Sequence, residues 1–270
     1  MMTSFNRKRM VRRVIIHGDC WPVVSATEHV VKVFLPDSQC ETTFTLTSLL
    51  QQLARFPDAI LILCLRPREH IFLFYAIKNE LLCHPALVIS DELLFSDRVM
   101  LYHWGNISVT LHQELTDLVM QIENGKSLYP VKGRLNSFLS YPKPAMGCFT
   151  VPLIFNNPKR LMNYMSLLMF RAVESCGVTS DQQKLLKEIY GGRYTFTGLK
   201  KVLNRDERKI FQDKNRLLIK LGMRNRLRDL LYGTRFCMTE QRTEFMPPDI
   251  VKILFERENI AIQARDDTKV

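Results

Sequence analysis

Short apolar runs alternate with longer amphipathic runs between residues 11 and 130, and this alternation limits the folds that the chain can adopt. Four runs have the length and composition of buried strands; they cover residues 12–17, 58–65, 84–90 and 98–103. Helical patterns lie at residues 25–35, 45–56, 68–82 and 111–125. Strands separated by helices form parallel sheets with helices on both faces. The sequence therefore predicts an α/β domain with a doubly wound parallel sheet over residues 11–130.

Glycine, proline and serine become frequent after this region, and we expect a linker with an apolar helix over residues 131–175. Asn157 followed by Pro158 is typical of a helix start, because asparagine caps a helix and proline suits its first turn. The helix that begins there is apolar on most of its sides. Its cover could come from the first domain, from the second domain or from another subunit.

A set of short helical patterns follows over residues 176–232, and a C-terminal extension covers residues 233–270. Gly191 and Gly222 end two of these patterns, and Asn204 marks the turn before the longest one, residues 206–221. Short helices joined by tight turns, with a long and basic third helix, are typical of a helix-turn-helix domain. We predict an all-α C-terminal domain of this type.

The helix-turn-helix region carries most of the positive charge of the chain. The formal net charge of the 270 residues is +11. Residues 178–232 contain fourteen Lys or Arg against six Asp or Glu, so about a fifth of the sequence has a net charge of +8. A basic balance of this size indicates an acidic partner, either nucleic acid or an anionic membrane surface. Charge alone leaves open both a DNA-binding helix and a solvated surface helix.

The third helix of this region has one apolar side when its residues are spaced at about 100°. Ile210, Leu217, Leu218 and Leu221 share that side, and we expect them to anchor the helix to its neighbours. The remaining positions carry mostly cations and amides: Arg208, Lys209, Gln212, Asn215, Arg216 and Lys220, with Phe211 beside them. These polar side chains are the candidates for contact with nucleic acid.

Two segments, VTSDQQKLLKEIYGG at 178–192 and LKKVLNRDERKIFQDKNRLLIKLGMRNRLRDLL at 199–231, resemble the DNA-binding domain of LuxR-type (NarL/FixJ-like) bacterial transcription regulators. The shared features are an opening helix that ends in glycine, Lys-Leu-Gly after the recognition helix and Arg-Asn-Arg before the last helix. Residues 203–205, Ile210 and Lys214 look closest to the subgroup of the Rcs capsule regulator and BglJ-like proteins. Lys209 and Asp213 depart from the family, which mostly has threonine and commonly histidine at these positions.

Regulators of this kind often carry a receiver domain, which is phosphorylated on an aspartate at the end of a strand. That chemistry requires paired acids for Mg²⁺, the acceptor aspartate, a threonine or serine, and a lysine. Residues 15–24 resemble the first receiver strand but supply one acid, Asp19, while Leu63 or Cys64 takes the acceptor position. Ser90 matches the threonine or serine, and no lysine lies near residues 105–108. The resemblance therefore implies an atypical receiver, a pseudo-receiver domain that is not controlled by its own phosphorylation.

From these observations we expect a transcription regulator that binds double-stranded DNA as a dimer and uses no cofactor. Gln212, Lys214 and Asn215 would reach base edges; Lys214 is included because the resembling subgroup has lysine there. Contacts with phosphates would come from Arg205, Arg208, Lys209, Arg216 and Lys220. Leu231 lies on the last helix, which mediates dimer contacts in the resembling family, and is the candidate dimer contact. The partner would be a second copy or, as the resemblance implies, an Rcs-type regulator.

Two other classes of function stay open at this point. The first is a protein-interaction module that sequesters another regulator, and Asp213 on the recognition helix favours it. The second is an enzyme or a phosphate-switched sensor, although the sequence pairs no nucleophile with a base. His17 near Asp19 lacks further ligands for a metal site. The seven cysteines include no C-x-x-C pair and no apolar run approaches the ~20 residues of a membrane span, so we expect a cytoplasmic protein without membrane contact.

Overall fold

The computed structural model describes residues 12–125, 133–192, 195–224 and 227–267 of the chain. Its first part contains five strands: β1 (Arg13–Gly18), β2 (Gln39–Thr43), β3 (Ile60–Cys64), β4 (Ala86–Ser90) and β5 (Ser108–Leu111). The helices of this part are α1 (Trp21–Phe34), α2 (Leu46–Arg55), α3 (Ile71–Ala76), α4 (Lys78–Cys83), α5 (Phe95–His103) and α6 (His112–Glu123). Strands and helices alternate along most of this part, as the apolar and amphipathic runs predict.

The five strands form one sheet in the order β2-β1-β3-β4-β5, and every neighbouring pair is parallel. Successive side chains of a strand point to opposite faces of a sheet. Ile15 and Leu61 therefore pack in the layer that contains α2, α3 and α5, while Ile16 and Ile62 pack in the layer that contains α1 and α6. The predicted doubly wound parallel sheet is confirmed, and its strand order is one that doubly wound folds commonly use.

Residues 98–103, whose apolar run predicts a strand, lie instead in helix α5, so that prediction was wrong. The carboxylate of Asp97 accepts a hydrogen bond from the backbone N–H of Leu94 (2.8 Å) and thereby stabilises the first turn of this helix. The apolar-run criterion also misses β2 and β5. Both are edge strands with exposed or half-exposed positions, and such strands do not show the continuous apolar run of a central parallel strand.

The second part of the chain is helical in the described residues, with α7 (Arg134–Ser140), α8 (Pro158–Ser175), α9 (Ser180–Tyr190), α10 (Phe196–Leu203), α11 (Glu207–Lys220), α12 (Leu227–Gly233) and α13 (Pro248–Asp267). Helix α7 lies in the expected linker, but its buried Leu135 and Leu139 pack with α1 on one face of the sheet. Helix α8 begins as predicted, because the side chain of Asn157 accepts a hydrogen bond from the backbone N–H of Lys159 (2.8 Å).

The apolar side of α8 is covered by the chain itself. Its buried side chains belong to the same hydrophobic cluster as those of the sheet layer and of α9 and α11; they are Leu161, Met162, Met165, Leu168, Met169 and Val173. Two side chains of α5 donate hydrogen bonds that join the first part to the residues at the end of α11 and in α12. Arg98 on α5 donates hydrogen bonds to the carbonyl oxygens of Leu221 and Gly222 (3.1 Å to Gly222). Ser96 donates to the carbonyl oxygen of Tyr232 (3.0 Å).

The C-terminal extension returns to the first part of the chain, where α13 packs against α2. The segment between α12 and α13 crosses the carboxyl edge of the sheet on its way, and Phe245 packs against Phe72 and Tyr75 there, with ring centroids 5.4 Å and 5.9 Å apart. Among the described helices, none combines the length and the low polarity required to cross a membrane.

Candidate nucleic-acid interface

Local capping interactions define the three helices that lead to the basic surface. Thr179 and Gln182 form a capping box at the start of α9, with N···O distances of 3.1 Å and 3.4 Å. Thr195 caps α10 by accepting a hydrogen bond from the backbone N–H of Gly198 (3.2 Å). Asn204 then adopts a left-handed conformation (φ 49°), which asparagine tolerates better than most residues and which ends α10 before α11 begins.

Helix α11 is held in place by the apolar side that the sequence predicts. Ile210, Leu217, Leu218 and Leu221 are at most 1% exposed and belong to the main hydrophobic cluster. Arg98 of the first part donates hydrogen bonds to the carbonyl oxygens of Leu221, which caps the helix, and of Gly222, which follows it. The prediction that these four side chains anchor the helix is confirmed.

The outer side of α11 presents polar side chains to solvent. Arg208, Lys209, Gln212 and Arg216 are exposed. None of the four has a hydrogen-bond or ion-pair partner within the part of the chain that the structure describes. Three unneutralised cations and one amide therefore share one accessible helix surface. We call these four residues the outer face of α11.

Two of the predicted cations have partners inside the helical domain. Arg205 forms ion pairs with Asp181 and with Asp213 (3.0 Å to Asp213). The hydrogen bond from Arg205 holds the pKa of Asp181 below its ordinary value. Lys220 donates to the carbonyl oxygen of Gly177 (2.6 Å) and to the side chain of Gln182 (3.2 Å). Asp213 is the residue that favours a protein-interaction module in the sequence analysis. Its negative charge is compensated by Arg205 within the domain.

The other three candidate residues are half-buried. The Lys214 ammonium lies 5.0 Å from the centroid of the Phe211 ring, a distance suited to a cation–π contact. The Oδ1 atom of Asn215 is buried and lacks a hydrogen-bond partner among the described residues. Leu231 packs against the main hydrophobic cluster, beside the fully buried Leu230. The structure therefore brings all the candidate DNA-contacting residues onto α11 or the turn before it, while only part of the set is exposed.

The residues that the sequence analysis matched to the phosphorylation site of receiver domains lie at the carboxyl edge of the sheet. Gly18 pairs with Cys64, so Asp19 follows β1 next to the end of β3. Cys64, rather than Leu63, lines the cavity of about 180 Å³ at this edge, together with Asp19, Cys20, Leu65, Arg66, Asp91, His112 and Arg242. Burial raises the pKa of the Cys64 thiol to about 12, so it is a neutral thiol at physiological pH. Ser90 donates its hydroxyl hydrogen to the carbonyl oxygen of Glu92 (2.7 Å).

Arg242 of the C-terminal extension closes this edge, and no local sequence signal identifies it. Its guanidinium donates to Asp19 (Nη1–Oδ2, 2.6 Å) and to Glu69 (Nε–Oε2, 2.8 Å). Its backbone N–H donates to the carbonyl oxygen of Glu69 (2.8 Å). Arg242 and Asp19 are 223 residues apart in the sequence, so only the tertiary structure reveals the pair.

The residues on either side of Arg242 add hydrogen bonds to the same edge. The Gln241 side chain accepts from the backbone N–H of Ile71 (2.9 Å) and donates to the carbonyl oxygen of Arg68 (2.9 Å). The hydroxyl of Thr243 lies 2.8 Å from the Nδ1 atom of His70. The extension is therefore bound to the edge by three consecutive residues, through both side-chain and backbone groups.

Two titratable groups at this edge have shifted pKa values. A hydrogen bond with His70 is the largest cause that lowers the pKa of Asp19 to about 2, and Arg242 lowers it further. Burial lowers the pKa of His17 to about 4, and the nearby His70 acts in the same direction. The Nδ1 atom of His17 lies 3.0 Å from the hydroxyl of Thr43. Within the described residues, no group of three or more His, Cys, Asp or Glu side chains is placed to hold a metal ion.

Comparison with known proteins gives distant structural likenesses. No protein-family model matches the sequence, and no curated protein matches it either. A complex of the two-component response regulator RcsB with DNA is 17% identical, with 82% of this chain and 97% of that chain covered and a TM-score of 0.48. A structure of two RcsB dimers bound to two parallel DNAs is 17% identical, with coverages of 82% and 96% and a TM-score of 0.46.

A third similar structure is RcsB from Salmonella enterica serovar Typhimurium, bound to promoter P1flhDC in the presence of the phosphomimetic BeF₃⁻. It is 17% identical, with 83% of this chain and 98% of that chain covered and a TM-score of 0.45. These identities and TM-scores are too low for the functions of the three proteins to carry over to this chain.

Proposed function

We propose that the chain is a DNA-binding transcription regulator of the LuxR type, in which α11 is the recognition helix. The outer face of α11 is the observation that carries this proposal. Three cations and an amide project from one helix that is anchored on its other side by buried leucine and isoleucine. A helix of 14 residues is about 21 Å long, which suits the major groove of duplex DNA.

The proposed roles of the side chains follow from their chemistry and exposure. Arg208, Lys209 and Arg216 contact phosphates and fix the position of the helix. Gln212 contacts a base edge, because an amide can donate and accept at once. Lys214 and Asn215 are proposed base contacts that require their half-buried side chains to turn outward.

Arg205 and Lys220 remain in the proposed phosphate-binding set. A guanidinium has five N–H donors and an ammonium has three, so each group has donors beyond those used inside the domain. Arg205 binds Asp181 and Asp213 at the start of the surface, and Lys220 binds Gly177 and Gln182 at its end. We infer that both side chains position α11 as well as contact DNA.

We infer that specific binding needs a dimer over two half-sites, because one small helical domain makes few contacts. We propose a dimer in which Leu231 contributes to the contact between subunits. The partner is a second copy or an Rcs-type regulator, as in the BglJ-like subgroup that the sequence resembles. Such a regulator acts in the cytoplasm and needs neither a cofactor nor a catalytic group.

Phosphorylation of the first domain does not control the protein in this proposal. Two observations support this view: Cys64 ends β3, where the resembling receivers carry the acceptor aspartate, and Asp19 is already bound to Arg242 and His70. A thiol cannot form the acyl phosphate that an aspartate forms. We therefore describe residues 11–130 as a pseudo-receiver domain, followed by the linker region 131–175, the helix-turn-helix domain 176–232 and the extension 233–270.

A binding assay with the full chain and duplex DNA tests the proposed function. Lys209→Ala is expected to weaken binding to all duplexes alike, since it removes a phosphate contact. Gln212→Ala is expected to lose ~1–3 kcal/mol on a duplex obtained by in vitro selection and little on random duplex. Lys159→Ala, an exposed lysine at the start of α8, is the control and should bind as the wild type does.

A protein-interaction module is the second candidate, and two exposed apolar side chains on α11 favour it. Phe211 is 45% exposed and Ile219 is 77% exposed. On this candidate function, replacing both by glutamine would abolish association with another regulator. It would not change duplex binding, because the wild-type chain would not bind duplex DNA. Absence of salt-dependent duplex binding by the wild-type chain would support this candidate over the first.

A further inference from the structure

A cavity of about 550 Å³ lies between α8, α9 and the residues that follow α12. Its apolar walls are formed by Met169, Phe170, Val173, Leu186, Tyr190 and Phe236. Phe170 is 53% exposed, so the cavity reaches the surface of the molecule. Cavities of this volume with apolar and aromatic linings are typical binding sites for small molecules. No step proposed above uses this cavity.

The charged side chains that line the cavity are all cations. Lys184, Lys187 and Arg235 line it, and its lining contains no aspartate or glutamate. Both lysines are exposed on α9. A cavity with this combination of apolar walls and cationic groups is complementary to a molecule with an apolar body and a negative charge.

Arg235 identifies where the negative charge would bind. Arg235 is half-buried and lines the cavity. A guanidinium has five N–H donors, which can bind a carboxylate through two parallel hydrogen bonds. The guanidinium carbon lies 5.6 Å from the centroid of the Tyr190 ring, which holds the group against the aromatic wall. The Tyr190 hydroxyl is already engaged, because it donates to the carbonyl oxygen of Thr234 (2.9 Å).

We propose that this cavity binds a small hydrophobic carboxylate, with the apolar body against the aromatic walls and the carboxylate hydrogen-bonded to Arg235. The three aromatic side chains Phe170, Tyr190 and Phe236 favour a planar ring system, since offset and edge-to-face ring contacts add to apolar burial. A carboxylate matches the planar guanidinium. The largely apolar lining suits a ligand with one charge better than a multiply charged phosphate, whose desolvation costs more.

The position of the cavity means that a bound ligand would affect how the two parts of the chain pack together. One wall belongs to α8, which packs on the first part of the chain, and the other belongs to α9, which opens the helix-turn-helix domain. A bound ligand contacts both walls at once and therefore stabilises this arrangement of the two parts. Ligand binding to the folded chain also raises the free energy of unfolding in proportion to the logarithm of ligand concentration.

Calorimetric titration of the full chain with 2-naphthoate tests the proposal without DNA, so its outcome is separate from that of the proposed function. We expect saturable binding at one site. The matched neutral compound 2-naphthylmethanol is expected to bind at least tenfold more weakly, because it lacks the carboxylate. Equal affinity for the two compounds, or no saturable binding of 2-naphthoate, would overturn the proposal.

Two variants and one control test whether 2-naphthoate binds in this cavity. Arg235→Gln is expected to lower the affinity for 2-naphthoate at least tenfold. Arg160→Gln, the same change at an exposed position of α8, should bind 2-naphthoate as the wild type does. Ser166→Trp places a large side chain in the cavity from an exposed position and should also weaken binding at least tenfold. Circular dichroism verifies folding, and Ser166→Trp decides the question if Arg235→Gln unfolds. Unchanged affinity in a folded Ser166→Trp variant would contradict the assignment.

Discussion

The guanidinium of Arg242 lies 2.6 Å from the carboxylate of Asp19 and joins the C-terminal extension to the carboxyl end of β1. In the receiver domains that the sequence resembles, acids at this edge hold Mg²⁺. Here the negative charge of Asp19 is compensated by a side chain of the same protein. The pair links the segment that follows α12 to the residue that follows β1.

The first prediction concerns the stability that this pair supplies. Arg242→Ala is expected to lower the free energy of unfolding by about 1 kcal/mol, a small value because both side chains are partly exposed and screened by solvent. Urea unfolding measures the change. Arg257→Ala, an exposed arginine on α13, is the control. If both variants unfold at the same urea concentration as the wild type, the contact contributes nothing to stability.

The second prediction concerns pH. The pKa of His17 is about 4 in the folded chain against an ordinary value of 6.5, so the unfolded chain binds the proton first. The contribution of His17 to the free energy of unfolding is therefore fully present above pH 6.5 and is lost as the pH falls toward 4. The loss is roughly 3 kcal/mol at most. Asp19 has the same sign, and its contribution is lost between about pH 3.8 and pH 2.

Urea unfolding between pH 7 and pH 4.5 measures the loss that His17 causes. His17→Gln cannot take up the proton, so its stability should fall less steeply over this interval than that of the wild type. Parallel curves for the two proteins would show that burial of His17 does not lower its pKa.

The third prediction is that the first domain does not accept a phosphoryl group. Incubation of the full chain with Mg²⁺ and acetyl phosphate should leave its intact mass unchanged, because Cys64 is a buried neutral thiol and Asp19 is bound to Arg242. Mass spectrometry checks this result. An aspartyl phosphate anywhere in residues 11–130 would refute the pseudo-receiver proposal.

Much of the fold can be predicted from the sequence, because the pattern of apolar residues within each segment indicates the central strands and the amphipathic helices. β1, β3 and β4 each contain a continuous apolar run, and the buried side of α11 repeats at helical spacing. The edge strands β2 and β5 are polar or half-exposed and give no comparable pattern. The segment 98–103 has a strand-like composition, but the carboxylate of Asp97 caps a helix there instead.

The candidate site follows from the sequence less completely. Spacing along α11 identifies which side is buried, and the structure confirms it for Ile210 and Leu217. Spacing does not reveal that Arg205 pairs with Asp181 and Asp213, because Asp181 lies on a different helix. The contact of Arg242 with Asp19 is equally hidden, since residues so far apart in sequence meet only after folding.

The fourth prediction concerns the proposed dimer. Leu231 is half-buried, so Leu231→Gln should cost about 1 kcal/mol of stability but retain the helical circular dichroism spectrum. Its affinity for a selected duplex with two half-sites should fall far more than its affinity for a single half-site. Equal losses on both duplexes would mean that Leu231 only packs within its own domain.

The salt dependence of duplex binding tests the central claim, that the outer face of α11 contacts DNA phosphates, most directly. Each phosphate contact contributes about −0.9 to the slope of log affinity against log salt concentration. The wild-type chain should therefore show a steep slope, and Lys209→Ala should flatten it by about one, while Lys159→Ala should leave it unchanged. Identical slopes for the wild type and Lys209→Ala, or no duplex binding at low salt, would contradict the claim.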